Sequence, residues 1–167
     1  MTFTVRAART SDVPLIQALV EPLVQKRILL GKDLVVLFEA VQEFRVAVDE
    51  NDVPIGCGAL HVMWSDLGEV RTLAVAEQHL RTGVGRALLE RIEADARELG
   101  LSRLFCLTFE TEFFGRNGFE PISEAVVAPD VYAQLTLSPD DGVAEFLDLA
   151  RVKQNTLGNT RMLKQLR

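Results

Sequence analysis

The chain has 167 residues, 48% hydrophobic and 25% charged, proportions of a soluble globular protein long enough to bury a core without disulfides or metal. Its net charge of −6 excludes nucleic acid as the main partner, because binding a phosphate backbone needs clustered Lys and Arg. No leader-like segment and no apolar run of about 18 residues stand out, so a membrane partner is excluded and a cytoplasmic protein of one domain, residues 1–167, is expected.

The elements follow in chain order. Residues 3–7, "FTVRA", read as a short strand. Thr10, Ser11 or Asp12 can then cap a helix that has Pro14 in its first turn and Val13, Ile16, Leu19, Val20 and Leu23 at helical spacing. A second helix is expected over about 33–43. The stretch "EFRVAVDENDVPIGCGALHVM" reads as two strands around the turn-forming "DENDVP", an antiparallel hairpin. A strand at about 68–76 leads through a glycine turn into a helix running to Leu99, with Val84, Leu88, Ile92, Ala96 and Leu99 as its apolar stripe and Gly100 as its stop. The strand "SRLFCLTF" (102–109) follows by a right-handed crossover, then a short helix in "TEFFGRNGF" broken at Gly118. Further on, "APDVYAQL" reads as a helical turn, "DDGVAEFLDLARV" as a helix and "TRMLKQL" as a last strand. This order predicts an α/β (α+β) fold, a mixed central sheet with helices on both faces.

Cys57 and Cys106 both lie in apolar runs and read as buried, inert residues. With His61 and His79 at no ligand spacing, no metal site is expected.

The glycine turn "TGVGRALL" has the form of a phosphate-holding loop, and the residues alone leave several readings open. A nucleotide P-loop requires a Lys after its glycines, and none is present. A dinucleotide loop would use Gly83 and Gly85, but Leu88 stands where its third small residue belongs, and the loop follows an antiparallel hairpin. An ordinary strand–helix turn would look much the same.

The longer stretch "LAVAEQHLRTGVGRALLERI" resembles the coenzyme A signature of the GCN5-related N-acetyltransferases, R/Q-x-x-G-x-G/A opening a long helix. One departure is Leu80 at the R/Q position, with Arg81 beside it. "EFFGRNGF" (112–119) resembles the family's second motif, F-Y-x-K-x-G-F, in the right order and separated from the first by one helix and one strand. The chain is most similar to the acetyltransferase domain of amino-acid N-acetyltransferases, the N-acetylglutamate synthases, through "ILLGKD", "EFRVAVDENDVPIGCGALH", "GEVRTLAV", "LLERIEADARELGLSRLFCLTFET" and "FFGRNGF". It resembles a short, stand-alone form of that family, without the upstream kinase-like domain.

The resemblance implies a fold, a cosubstrate and a reaction. Acetyl-CoA would be gripped by Leu73, Ala74 and Val75 at the strand end and by Arg81, Thr82, Gly83, Val84, Gly85 and Arg86 in the loop, where backbone N–H groups and the helix dipole suit a pyrophosphate. The acetyl group would pass to the α-amino group of L-glutamate by direct attack, with a backbone amide near Val75 stabilising the oxyanion. Strand alternation would put Glu69, Arg71, Leu73 and Val75 on one face, Glu69 as the base acting through water and Arg71 as a carboxylate anchor. Lys32, Lys153 and Arg161 are further candidates for the amino-acid substrate. The motif's Tyr, the usual acid for the leaving thiolate, is here Phe114, which leaves Thr111, Tyr132, water or no acid at all. An acceptor other than glutamate, an acidic or amide amino acid or a peptide N-terminus, and a non-catalytic acyl-CoA sensor are the competing readings. Self-association as a homodimer is left open.

Overall fold

The computed structural model describes residues 2–167, the side chains of 154 and 155 excepted. Seven strands form one sheet: β1 (Thr4–Ala7), β2 (Phe44–Val48), β3 (Pro54–Trp64), β4 (Leu67–Val75), β5 (Arg103–Thr108), β6 (Glu120–Pro121) and β7 (Thr160–Gln165). Their order is β1-β2-β3-β4-β5-β7-β6. β1 with β2, β2 with β3, β5 with β7 and β6 with β7 run antiparallel, while β4 and β5 run parallel, so the sheet is mixed. The helices are α1 (Val13–Gln25), α2 (Leu34–Glu39), α3 (Val84–Glu98), α4 (Thr111–Arg116), α5 (Pro129–Leu135), α6 (Asp141–Leu147) and α7 (Lys153–Thr156). By its contacts the chain divides into two compact units, the chain up to His61 with Val70–Leu99, and Val62–Glu69 with Gly100–Arg167.

In the first unit, helices cover both faces of the strands. Val13, Ile16 and Val20 of α1 and Leu37 of α2 pack with Val46, Val48, Cys57, Ala59 and Ala74. On the other face Val84 and Leu88 of α3 meet Ala47, Ile55, Leu73 and Val75. This second layer needs glycine in β3. A Cβ at Gly56 would lie 2.9 Å from Val84 Cγ1, 3.0 Å from Leu88 Cδ1 and 3.3 Å from the Ala74 carbonyl oxygen. One at Gly58 would lie 2.9 Å from both Ile92 Cδ1 and Leu73 Cδ1. The two glycines, one pleat apart on the same face, let α3 seat directly on the strand. Polar ties add to this packing. Asp12, buried at the start of α1, accepts two bonds from the Arg6 guanidinium (2.7 and 3.1 Å) and one from the Arg9 amide (2.7 Å), and Arg6 holds its carboxyl below the usual range. Arg45 of β2 makes a bidentate pair with Asp95 of α3 at 2.6 and 3.0 Å.

In the second unit the core gathers Leu67, Phe105, Leu135, Val143 and Phe146, with the Phe105 and Phe146 rings edge to face at 5.1 Å.

Two helices differ from expectation. The helix expected over 33–43 stops at Glu39, because Ala40 leaves the helical region (ψ 8°) and residues 41–43 close a 3-10 turn. Leu37 is its buried anchor, while Leu34, Val35, Val36 and Phe38 stay exposed, so packing gives the helix little reason to extend. The helix expected over 140–152 is split. Asp148 adopts a left-handed conformation (φ 59°) and ends α6, after which a 3-10 turn (150–152) leads into α7. The two-residue β6 was not visible in the sequence pattern and is identified by its pairing with Met162 and Leu163. Gly100, at φ 90°, stops α3 as expected.

The seating of α3 gives a direct test. Gly56→Val should lower the free energy of unfolding by about 1–3 kcal/mol through overpacking. The midpoint of a urea titration measures this, and an unchanged midpoint contradicts the close approach.

Candidate active site

In the first unit the strand-to-helix connection carries most of the expected cofactor residues. β4 ends at Val75, and the Ala76 amide donates to the Ile55 carbonyl at 2.8 Å, tying the strand end to β3. A 3-10 turn at Glu77–His79 follows, then Leu80, then Arg81 in the left-handed region (φ 62°). The Thr82 hydroxyl donates to the His79 carbonyl and closes the loop. Gly83, at φ 90°, is the N-cap of α3 and supplies no side chain to cap it; no acidic residue stands in the first turn. The space where a Cβ of Gly83 would lie is open, with no atom within 4 Å. The first amides of a 15-residue helix therefore lack a side-chain cap, and Thr82 and Gly83 beside them are exposed, conditions that suit an anion. Val84 is buried beneath them. Arg81 is exposed, and Arg86 donates to Glu90 one turn along the helix at 2.8 Å.

β4 upstream of the loop departs from a regular strand. Thr72 sits at φ 56°, costly for a β-branched residue, and its carbonyl faces the Cys57 thiol at 3.4 Å. Thr72 lies in the middle of the expected alternation of Glu69, Arg71, Leu73 and Val75. Beyond it, Leu73 and Val75 face the α3 layer while Ala74 faces α1 and α2. Arg71 is half-buried in the first unit. Lys32 lies in the α1–α2 connection, where its carbonyl accepts from the Gln17 side-chain amide at 3.3 Å.

Glu69 belongs to the second unit, 3% exposed, with Phe105 as its neighbour on β5. Phe114, at the position of the motif's Tyr, is buried between Phe113 and Phe119, each ring pair edge to face at 5.1 Å. An apolar cluster occupies that place, and no proton is available from it. Thr111 and Tyr132 are both exposed. Lys153 forms an ion pair with Asp148 at 2.7 Å, and Arg161 donates to the carbonyls of Phe146 (2.9 Å) and Ser123. Both cations are thus tied to the segment between β6 and β7.

Two features escaped the sequence reading. The strained Thr72 has no sequence signal, since threonine is an ordinary strand residue. The pairing of Glu43 with His61 joins residues eighteen apart. Among the described residues no group of three or more His, Cys, Asp or Glu could hold a metal ion, and no helix is long and apolar enough to cross a membrane.

The mixed sheet, the parallel β4–α3–β5 crossover and the uncapped α3 N-terminus are compatible with an acetyltransferase, and comparison with known proteins supplies the class. The chain belongs to the GNAT family of acetyltransferases, whose model matches residues 18–119. It is 55% identical over 161 residues to an amino-acid acetyltransferase of Mycobacterium tuberculosis, covering 95% of this chain and 92% of the relative. A crystal structure of a Mycobacterium tuberculosis protein in complex with CoA and NLQ superposes with a TM-score of 0.93 at 53% identity, covering 98% and 99% of the two chains. N-acetylglutamate synthase from Neisseria gonorrhoeae, complexed with coenzyme A and N-acetyl-glutamate, gives a TM-score of 0.79 at 28% identity; the match covers this whole chain and 36% of that one.

Cysteine chemistry is absent from this picture on physical grounds. Burial pushes the Cys57 thiol up to about 12, and burial with the nearby Glu69 charge raises that of Cys106. Both thiols should react with a disulfide reagent in the folded protein more than about 100-fold slower than an exposed thiol, and at the ordinary rate once unfolded. Fast labelling of Cys106 in the folded state would contradict its burial.

Proposed function

We propose that this chain transfers the acetyl group of acetyl-CoA to the α-amino group of L-glutamate, the first step of arginine biosynthesis, in the cytoplasm. The observation that carries the proposal is the open, uncapped start of α3 at Gly83, in a chain 55% identical to an amino-acid acetyltransferase. In this reading the backbone amides from Arg81 to Arg86 hold the pyrophosphate of the cosubstrate, and Leu73, Ala74 and Val75 hold the arm that carries the thioester. An amide near Val75 stabilises the oxyanion. Glu69 withdraws a proton from the substrate ammonium through water, and Arg71 and Lys32 bind carboxylate. The amine then attacks the thioester directly. A thiolate is an adequate leaving group, so Phe114 is compatible with turnover.

Lys153 and Arg161 remain candidates for the second carboxylate, although each already has partners in the fold. Those partners favour a second reading, an acceptor with an amide side chain, which needs no second cation. One relative is complexed with CoA and NLQ, and another with coenzyme A and N-acetyl-glutamate.

Release of CoA thiol, followed across the twenty amino acids, tests both. Turnover with glutamate above all others is the expected result. Turnover with glutamine or asparagine alone would replace the first reading by the second, and tight CoA binding with no turnover on any amine would identify a sensor instead of an enzyme.

A further inference from the structure

α2 of the first unit is apolar on nearly every side, and most of it faces outward. Of the apolar side chains in "LVVLFE" (34–39), Leu37 is buried. Leu34, Val35, Val36 and Phe38, with Leu30 just before the helix, are each 40–61% exposed. A helix apolar all round belongs in an interior, and six residues with a single anchor gain little from their own packing. The exposed surface of these five residues comes to roughly 400 Å², the size of the largest apolar patch on a typical monomer, and such patches mark interaction sites.

The patch has a direction. Gly31 lies against Val24, where a Cβ would sit 3.4 Å from Cγ1, and the next residue, Lys32, accepts through its carbonyl from Gln17. The chain thus steps back along α1, and Leu37 continues to the cluster of Val13, Ile16 and Val20. The strip therefore begins beyond the end of α1 at exposed Lys26 and Arg27, runs over Leu30 and the outer side chains of α2, and ends at exposed Glu39. Lys32 and Asp33, adjacent and opposite in sign, stand between the two ends. Among the described residues, the side chains of Lys26, Arg27 and Glu39 have no hydrogen bond or ion pair. A lipid surface asks for one sign of charge around an apolar face. A strip basic at one end and acidic at the other is instead complementary to itself turned end for end, as a two-fold contact requires.

We propose that this strip is the surface through which two copies of the chain pair about a two-fold axis. α2 of one copy lies antiparallel to α2 of the other, and Arg27 of each faces Glu39 of its mate. The two patches together remove about 800 Å² of apolar surface from water, and the polar ends extend the contact toward the roughly 1,200–2,000 Å² of a specific interface. The apolar centre supplies the affinity. The charge pairs, solvated at the rim, contribute little energy and set the register. The inference is independent of the acetyl-transfer reading, since Arg27, Val35, Phe38 and Glu39 have no part in that chemistry.

Sedimentation velocity between about 1 and 200 μM protein tests this, with a monomer–dimer equilibrium in the micromolar range expected. V35D/F38D, at two exposed positions where the fold tolerates polarity, should raise the dissociation constant at least about 100-fold. R27E and E39R should each raise it about tenfold by opposing like charges, and R27E/E39R should restore it, because the pair is exchanged without a change of geometry. A chain that stays monomeric at every concentration overturns the proposal, even if it then adsorbs to vesicles of anionic lipid. A dimer that V35D/F38D leaves intact overturns the placement on α2. Losses from R27E and E39R that add in the double variant overturn the antiparallel pairing.

Discussion

The close approach of α3 to β3 is the constraint from which the cofactor end of the molecule follows. With no side chain at Gly56 and Gly58, Val84, Leu88 and Ile92 rest on the strand itself. The first turn of α3 is thereby anchored from beneath by buried Val84, while the loop above it stays open. A helix terminus serves as an anion site when its amides are fixed in direction and left without internal partners. The buried stripe satisfies the first condition, and the left-handed, side-chain-free Gly83 satisfies the second. Arg45 and Asp95 secure the same helix further along, so its register on the sheet has both an apolar and a polar determinant.

Charge is distributed in keeping with that arrangement. An acidic protein must keep its cations where they count, and most of its arginines and lysines already have work. Arg6 serves Asp12 and Asp52, Arg103 serves Asp66, Lys153 serves Asp148, and Arg161 donates to the carbonyls of Phe146 and Ser123. In the proposed function the phosphate end relies on backbone amides, with exposed Arg81 and Arg86 beside them. This explains why a net charge of −6 is no obstacle to a polyanionic cosubstrate.

Much of this was legible from the sequence because the signals were local. The hairpin, the crossover into the helix from Val84 and the Gly100 stop depend on periodicity and on glycine chemistry within a few residues. What was not legible depends on tertiary context. Threonine at 72 reads as ideal strand, and its left-handed backbone has no signal in the residues around it. The helix expected over 140–152 breaks because Asp148 adopts φ 59°, a conformation that an aspartate tolerates but does not announce. The carbonyls of Phe146 and Ser123 that accept from Arg161 lie fifteen and thirty-eight residues away in the chain, and no sequence pattern marks such a partner. The spacing of Gly56 and Gly58 did carry a signal, that of a backbone closely approached by another element, and it could have been read.

The account turns on the amides at the start of α3, and amide hydrogen exchange observes them directly. In the free protein the amides of residues 82–86 should exchange fast. Saturating CoA should slow them at least tenfold while leaving the α1–α2 connection unchanged. Unaltered exchange at residues 82–86, with protection appearing elsewhere, would contradict the placement of the cosubstrate.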